Sequence, residues 1–167
     1  CRRCRSVRVT RTMAEGAPPI AVIDTSSLVT LQSRMGLSGA ECDRILGRLT
    51  TLVERDELAY PAQVVEELQR YYKVDRISRW ASNNKEIATR YAPSEVVMAQ
   101  LRMNPEIARV LDRLVEADDP RSVERADPYV VAMALQLHAT REVTVVTEDR
   151  KIRPGKTTIT VACGRVR

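Results

Sequence analysis

The chain has 167 residues, 44% of them apolar and 29% charged, the balance of an ordinary globular protein with room for one domain and one core. Its net charge of +5 does not make it a basic nucleic-acid module. Residues 1–12, CRRCRSVRVTRT, hold five arginines and no acid, and the remainder carries as many acids as bases. With one Trp, five Tyr and no Phe the core must be aliphatic, and no apolar run is long enough to cross a bilayer.

In chain order, residues 1–18 read as a basic extension outside the fold, either without fixed structure or not native, because Met13 opens a natural start at MAEGAPP. Cys1 and Cys4 form a CxxC with no second pair at zinc spacing, and Cys42 and Cys163 stand alone, so a reduced, cytoplasmic setting is expected. PPIAVID is the first predicted strand. SGAECDRILGRLTTLVERDEL reads as a helix, with Ser38 and Glu41 as a capping box and Ile45, Leu46, Leu49, Leu52 and Val53 as its apolar stripe. LAYP is a short strand, and AQVVEELQRYY begins a helix after Pro61.

Residues 75–104 read as helical with breaks at Asn83-Asn84 and Pro93, followed by an amphipathic helix over PEIARVLDRLVEA and a loop at DDPRSVE. ADPYVVAMALQLHA is a strongly apolar helix, EVTVVTED a strand, and TTITVA a predicted final strand. Strands separated by helices imply an α/β fold with a mainly parallel central sheet flanked by helices, spanning residues 19–167. The sequence ends at TVACGRVR, so a last element of such a fold is expected to be missing. In parallel sheets ligands gather at the carboxyl ends of the strands.

Acids fall at those ends. Asp24 closes the first strand, and Glu67, beside Glu66, lies early in the helix after AYP. Asp127 opens the apolar helix, and Asp149, beside Glu148, closes VTVVT. Each alone has a structural reading: a helix cap for Asp24, a favourable helix start for Asp127-Pro128, solvated positions for the glutamates and turn acids before Arg150. Together they repel one another unless a cation neutralises them, and their hard oxygens suit Mg²⁺ or Mn²⁺.

The ordered set resembles the PIN-domain nucleases. VIDTSSL is similar to that family's first motif, VVEEL to the second, ADPYVVAMAL to the third and VTVVTED to the fourth. The resemblance implies an α/β/α sandwich carrying a nuclease that cleaves single-stranded RNA with one or two Mg²⁺ or Mn²⁺ ions. It makes Asp24, Glu67, Asp127 and Asp149 the catalytic acids and metal ligands, with Thr25, Ser26, Thr147, Glu66 and Glu148 supporting them. The VapC-like branch adds expectations of a toxin paired with an antitoxin protein and of a homodimer. Tyr71 stands where that branch carries glycine, and ADPY before VVAMAL is closer to a related bacterial PIN branch.

Arg70, Lys73, Arg76 and Arg79, near Tyr71, Tyr72 and Trp80, form a candidate RNA-facing surface or the polar side of an amphipathic helix. His138, the single histidine, lies at the far end of its helix from Asp127 and is expected to take no part in acid–base chemistry. Ser26 stands where a haloacid-type phosphatase needs a second acid, and VIDT lacks the acidic pair of a receiver domain. The alternative to the nuclease is a catalytically weak PIN-fold module that acts by binding protein or RNA.

Overall fold

The structure, a computed structural model, describes residues 5–9, 17–33, 39–71, 76–112, 114, 126–148 and 158–165. Among them a four-stranded sheet runs in the order β1 (Arg5–Val9), β4 (Val143–Thr147), β2 (Ile20–Ile23) and β3 (Leu58–Ala59). β2 pairs in parallel with both β3 and β4, Ile20 opposite Val143 and Ala21 opposite Leu58. β1 joins antiparallel on the far side of β4, Arg5 opposite Thr147. Part of the stretch expected to lie outside the fold is therefore a strand. Its alternation of valine with polar residues suits a pleated edge.

β2 is one of two inner strands, and Ile20, Val22 and Ile23 are buried on both of its faces, the near-continuous apolar run of a parallel sheet. β4 instead alternates, burying Val143, Val145 and Thr147 while Thr144 and Val146 stay half-buried. That period of two turns Thr147 inward at the end of the strand.

Helices pack around this sheet. α1 (Thr25–Ser33) follows β2 directly, and α2 (Gly39–Glu54) returns to β3 with Leu46, Leu49, Leu52 and Val53 against the core. α2 stops four residues before the predicted end, and Ser38 of the expected capping box lies outside the described residues. α3 (Ala62–Tyr71), α4 (Arg76–Asn83), α5 (Lys85–Ala88), α6 (Glu95–Arg102) and α7 (Pro105–Asp112) follow, with breaks where the asparagines and Pro93 placed them. The predicted DDPRSVE loop lies outside the described residues. α8 (Ala126–His138) is buried nearly all round and touches β2, β4, α3, α6, α7 and α9 (Ile159–Arg165).

α9 corrects the strand predicted at TTITVA. Its β-branched residues favour a strand locally, but Ile159, Ala162 and Cys163 recur at helical spacing and are buried together. Thr158 caps the helix, its hydroxyl accepting from Val161 N–H at 3.4 Å. Burial along one helical face outweighs the local preference.

The end of α2 shows why the chain turns there. Asp56 N–H donates to Val53 C=O at 3.2 Å and Glu57 N–H to Leu52 C=O at 2.8 Å, a Schellman closure with Asp56 in the left-handed position, φ 62°. Glycine is the usual residue there, and an aspartate stays because its carboxylate is used. It pairs with Arg141 at 2.9 Å and Arg90 at 3.2 Å, and Tyr91 Oη donates to it at 2.8 Å. Both guanidinium groups lie over the Tyr91 ring, at 4.8 Å for Arg141 and 5.4 Å for Arg90. Arg141 is buried, so its charge depends on this one carboxylate.

Two polar rings tie α4 inward: Tyr60 Oη donates to Ala81 C=O at 2.8 Å, and Trp80 Nε1 donates to Thr50 at 2.9 Å. Among the described residues no helix is long and apolar enough to cross a membrane. Asp56→Gly relieves the backbone yet strands two arginines. It is expected to lower unfolding free energy by about 2–3 kcal/mol in urea titration. A variant as stable as the wild type would show that the carboxylate contributes nothing.

Candidate active site

β2 ends at Ile23, and the next residue still belongs to the sheet through its backbone, Asp24 N–H donating to Val146 C=O at 3.2 Å. Its side chain is fully buried and opens α1. Asp24 Oδ1 accepts from Ser27 N–H at 2.8 Å, the bond of a helix N-cap. The cap reading of Asp24 is therefore real. It does not exhaust the group, because Oδ2 also accepts from Ser26 Oγ and from Thr147 Oγ1, each at 2.7 Å. Thr147 reaches it from the end of β4 because strand alternation turns it inward.

Every one of these bonds favours the ionised carboxylate, and burial outweighs them, holding the Asp24 carboxyl above the usual aspartate value of 3.8. Among the described residues the partners of this carboxyl are neutral donors.

Ser26 and Ser27 fix the surroundings. Ser26 Oγ also accepts from Glu148 N–H at 3.1 Å, and Ser27 Oγ donates to Val146 C=O at 3.2 Å. Both bind the chain leaving β4 to the start of α1.

Glu67 enters from α3. Val64, Val65 and Leu68 anchor that helix in the core, and 100° steps place Glu67 at the flank of the buried face while Glu66 points to solvent. Glu67 Oε2 accepts from Thr25 Oγ1 at 2.5 Å and Oε1 from Ala126 N–H at 3.0 Å. Ala126 is the first residue of α8, and Asp127, half-buried, is the second.

Of the predicted site residues, the structure thus gathers Asp24, Thr25, Ser26, Glu67 and Thr147 into two linked sets of hydrogen bonds, with the backbone of Glu148 joined to them. Asp127 sits one residue from the second set. Asp149 and Lys73 lie outside the described residues. Arg70 and Arg79 are exposed, and Arg76 is held by Asp43 at 2.6 Å and by Gly39 C=O at 2.9 Å. His138 closes α8 at the end away from Asp127.

Sequence reasoning missed two groups. Ser27 was legible in principle, since an N-cap aspartate bonds the residue three positions on. The Ala126 N–H belongs to the backbone, and only the packing of α3 against α8 reveals it.

The donor set is oxygen-rich, which suits a hard divalent cation, and a cation would offset the burial that raises the Asp24 carboxyl. These residues fit such an ion in chemistry. Among the described residues no three acidic, histidine or cysteine side chains come close enough together to enclose one.

Residues 22–167 match the family model described as a domain of unknown function, DUF4411, so the chain belongs to that family. No curated protein and no solved structure matches the chain.

The raised carboxyl of Asp24 sets a pH dependence. Its folded-state value lies above its unfolded value, so the folded protein holds this proton more tightly and stability falls as pH rises through and above 3.8. Asp24→Asn removes the charge, keeps the acceptor for Ser27 N–H, and lets the two hydroxyls rotate to accept from its amide. In chelator-treated protein it should melt higher than the wild type at pH 7, the gain shrinking toward acid pH in thermal scans. A variant that melts lower at pH 7 would contradict this.

Proposed function

We propose that this chain is a divalent-metal-dependent nuclease of PIN type that hydrolyses phosphodiester bonds of single-stranded RNA. The observation that carries the reading is Asp24: a buried carboxylate at the carboxyl end of an inner strand, locked by Thr147 from the neighbouring strand and met, among the described residues, by neutral donors. The four acidic motifs in PIN order support it, because the residues of the first, second and fourth motifs meet at one end of the sheet. Charge in such a place is kept for chemistry more often than for stability.

Asp24 and Asp127, with Asp149, would hold Mg²⁺ or Mn²⁺, which activates water and offsets the charge gathering on a phosphodiester under attack. The rest is the work of the chain. Ser26, Ser27 and Thr147 hold Asp24 in one orientation, so its oxygens need no reorganisation to act. Ser26 also holds the Glu148 backbone, which fixes the start of the segment leading to Asp149. Thr25 is turned away from Asp24 toward Glu67, which leaves Ser26 as the hydroxyl paired with Asp24 in this motif.

A second reading, a PIN-fold module that binds RNA or protein without efficient cleavage, draws on one observation. The oxygens of Asp24 and Glu67 already accept hydrogen bonds from the protein itself. The toxin role and the homodimer extend the nuclease reading. A small antitoxin-like reading frame beside this one would support the first.

Incubation of single-stranded RNA with purified protein and Mn²⁺ or Mg²⁺ separates the two readings. The wild type is expected to cleave, and Asp127→Asn to fall to the level of the metal-free control. Cleavage that survives the substitution, or none with either metal, would sink the enzymatic reading.

A further inference from the structure

Glu67 bonds the immediate chain neighbours of two aspartates. Thr25 directly follows Asp24 and opens α1, and Ala126 directly precedes Asp127 and opens α8. One carboxylate oxygen serves each: Oε2 for the Thr25 hydroxyl at 2.5 Å and Oε1 for the Ala126 N–H at 3.0 Å. We propose that Glu67 is a positioning residue, a hydrogen-bonded brace between α1 and α8 that sets Asp127 relative to Asp24, rather than a direct ligand of the metal. In its functional part the inference rests on the metal-dependent reading.

The physical case has three parts. The first N–H groups of a helix have no partner inside it, and Ala126 N–H is one of these. Pro128, third in α8, has no N–H, so the first turn offers fewer donors and the one that Glu67 takes matters more. The start of α8 thus brings its N–H, at the positive end of the helix, to this carboxylate.

The Thr25 bond is charge-assisted and short, and Thr25 is only 8% exposed, so water competes for it poorly. The base of the brace is rigid as well. Val64, Val65 and Leu68, at 0%, 1% and 0% exposure, fix the turns of α3 on either side of Glu67.

A brace and a ligand answer differently to glutamine. Glu67→Gln keeps an acceptor for Ala126 N–H, and its amide can donate to a rotated Thr25 hydroxyl, but it loses the charge. Thr25→Val cuts the brace and touches no carboxylate.

The test uses the full chain with two readouts, the melting temperature in chelator and Mn²⁺ affinity by calorimetry. Glu67→Gln is expected to stay within about 2 °C and about threefold of the wild type, whereas Glu67→Ala falls by about 5 °C and binds Mn²⁺ about tenfold more weakly. Thr25→Val moves both readouts part of the way toward Glu67→Ala, and the double variant Thr25→Val with Glu67→Ala adds little beyond Glu67→Ala alone.

The brace is overturned if Glu67→Gln weakens Mn²⁺ as much as Asp127→Asn does, which marks a direct ligand, or if Glu67→Ala leaves the melting temperature unchanged. Should Glu67→Ala not fold, the glutamine and Thr25→Val variants carry the same comparison. A wild type that binds no Mn²⁺ overturns the metal-dependent reading and with it the functional part of the inference, and the melting temperatures then judge the brace alone.

Discussion

Taking a carboxylate out of water at the end of an inner strand is costly, and hydrogen bonds alone do not recover the cost. At Asp24 the surrounding chain is arranged around that difficulty. The strand ends there, a helix begins there, and the neighbouring strand sends in Thr147 because its pleat turns that residue inward. Two serines then join the start of α1 to the last residues of β4. A single charged group thus accounts for the close seam between β2, β4 and α1, and the seam ends where ligands gather in parallel sheets.

The second set of contacts depends on the first. Glu67 bonds the residue beside Asp24, and across the site it bonds the first residue of α8. Because α8 is apolar nearly all round and packed by sheet and helices together, its start is fixed from the far side as well as from the near one. The aspartate carried in its first turn inherits that placement.

Much of this was legible in residue order. The apolar run of IAVI, the alternation of VTVVT and the stripe of α2 each follow from a period, and periods survive translation into structure. The choice of Glu67 over Glu66 rested on a motif, and helical geometry supplies its reason, since one flanks the buried face and the other does not. What escaped was non-local. TTITVA reads as a strand until Ile159, Ala162 and Cys163 find α8 to pack against. RSVRV looks like a loose basic arm until β4 offers an edge. The Ala126 N–H carries no side-chain letter at all, and Asp56 reads as one more helix residue until Arg90, Tyr91 and Arg141 arrive from later in the chain.

The Asp56 cluster has a further consequence. β2, β3 and β4 run the same way, so Asp56 and Arg141, which precede β3 and β4, lie at the opposite end of the sheet from Asp24. At that end one carboxylate is matched by two guanidinium groups and an aromatic ring. At the other a carboxylate is met, among the described residues, by hydroxyls and an amide. The sheet therefore has a saturated pole and an unsaturated one, about the length of a five-residue strand apart. Changes that harden the saturated pole act on folding alone, whereas changes at the other pole alter both folding and, on the nuclease reading, the hold on a cation. Stability can therefore be raised at one pole of this small domain without touching the other.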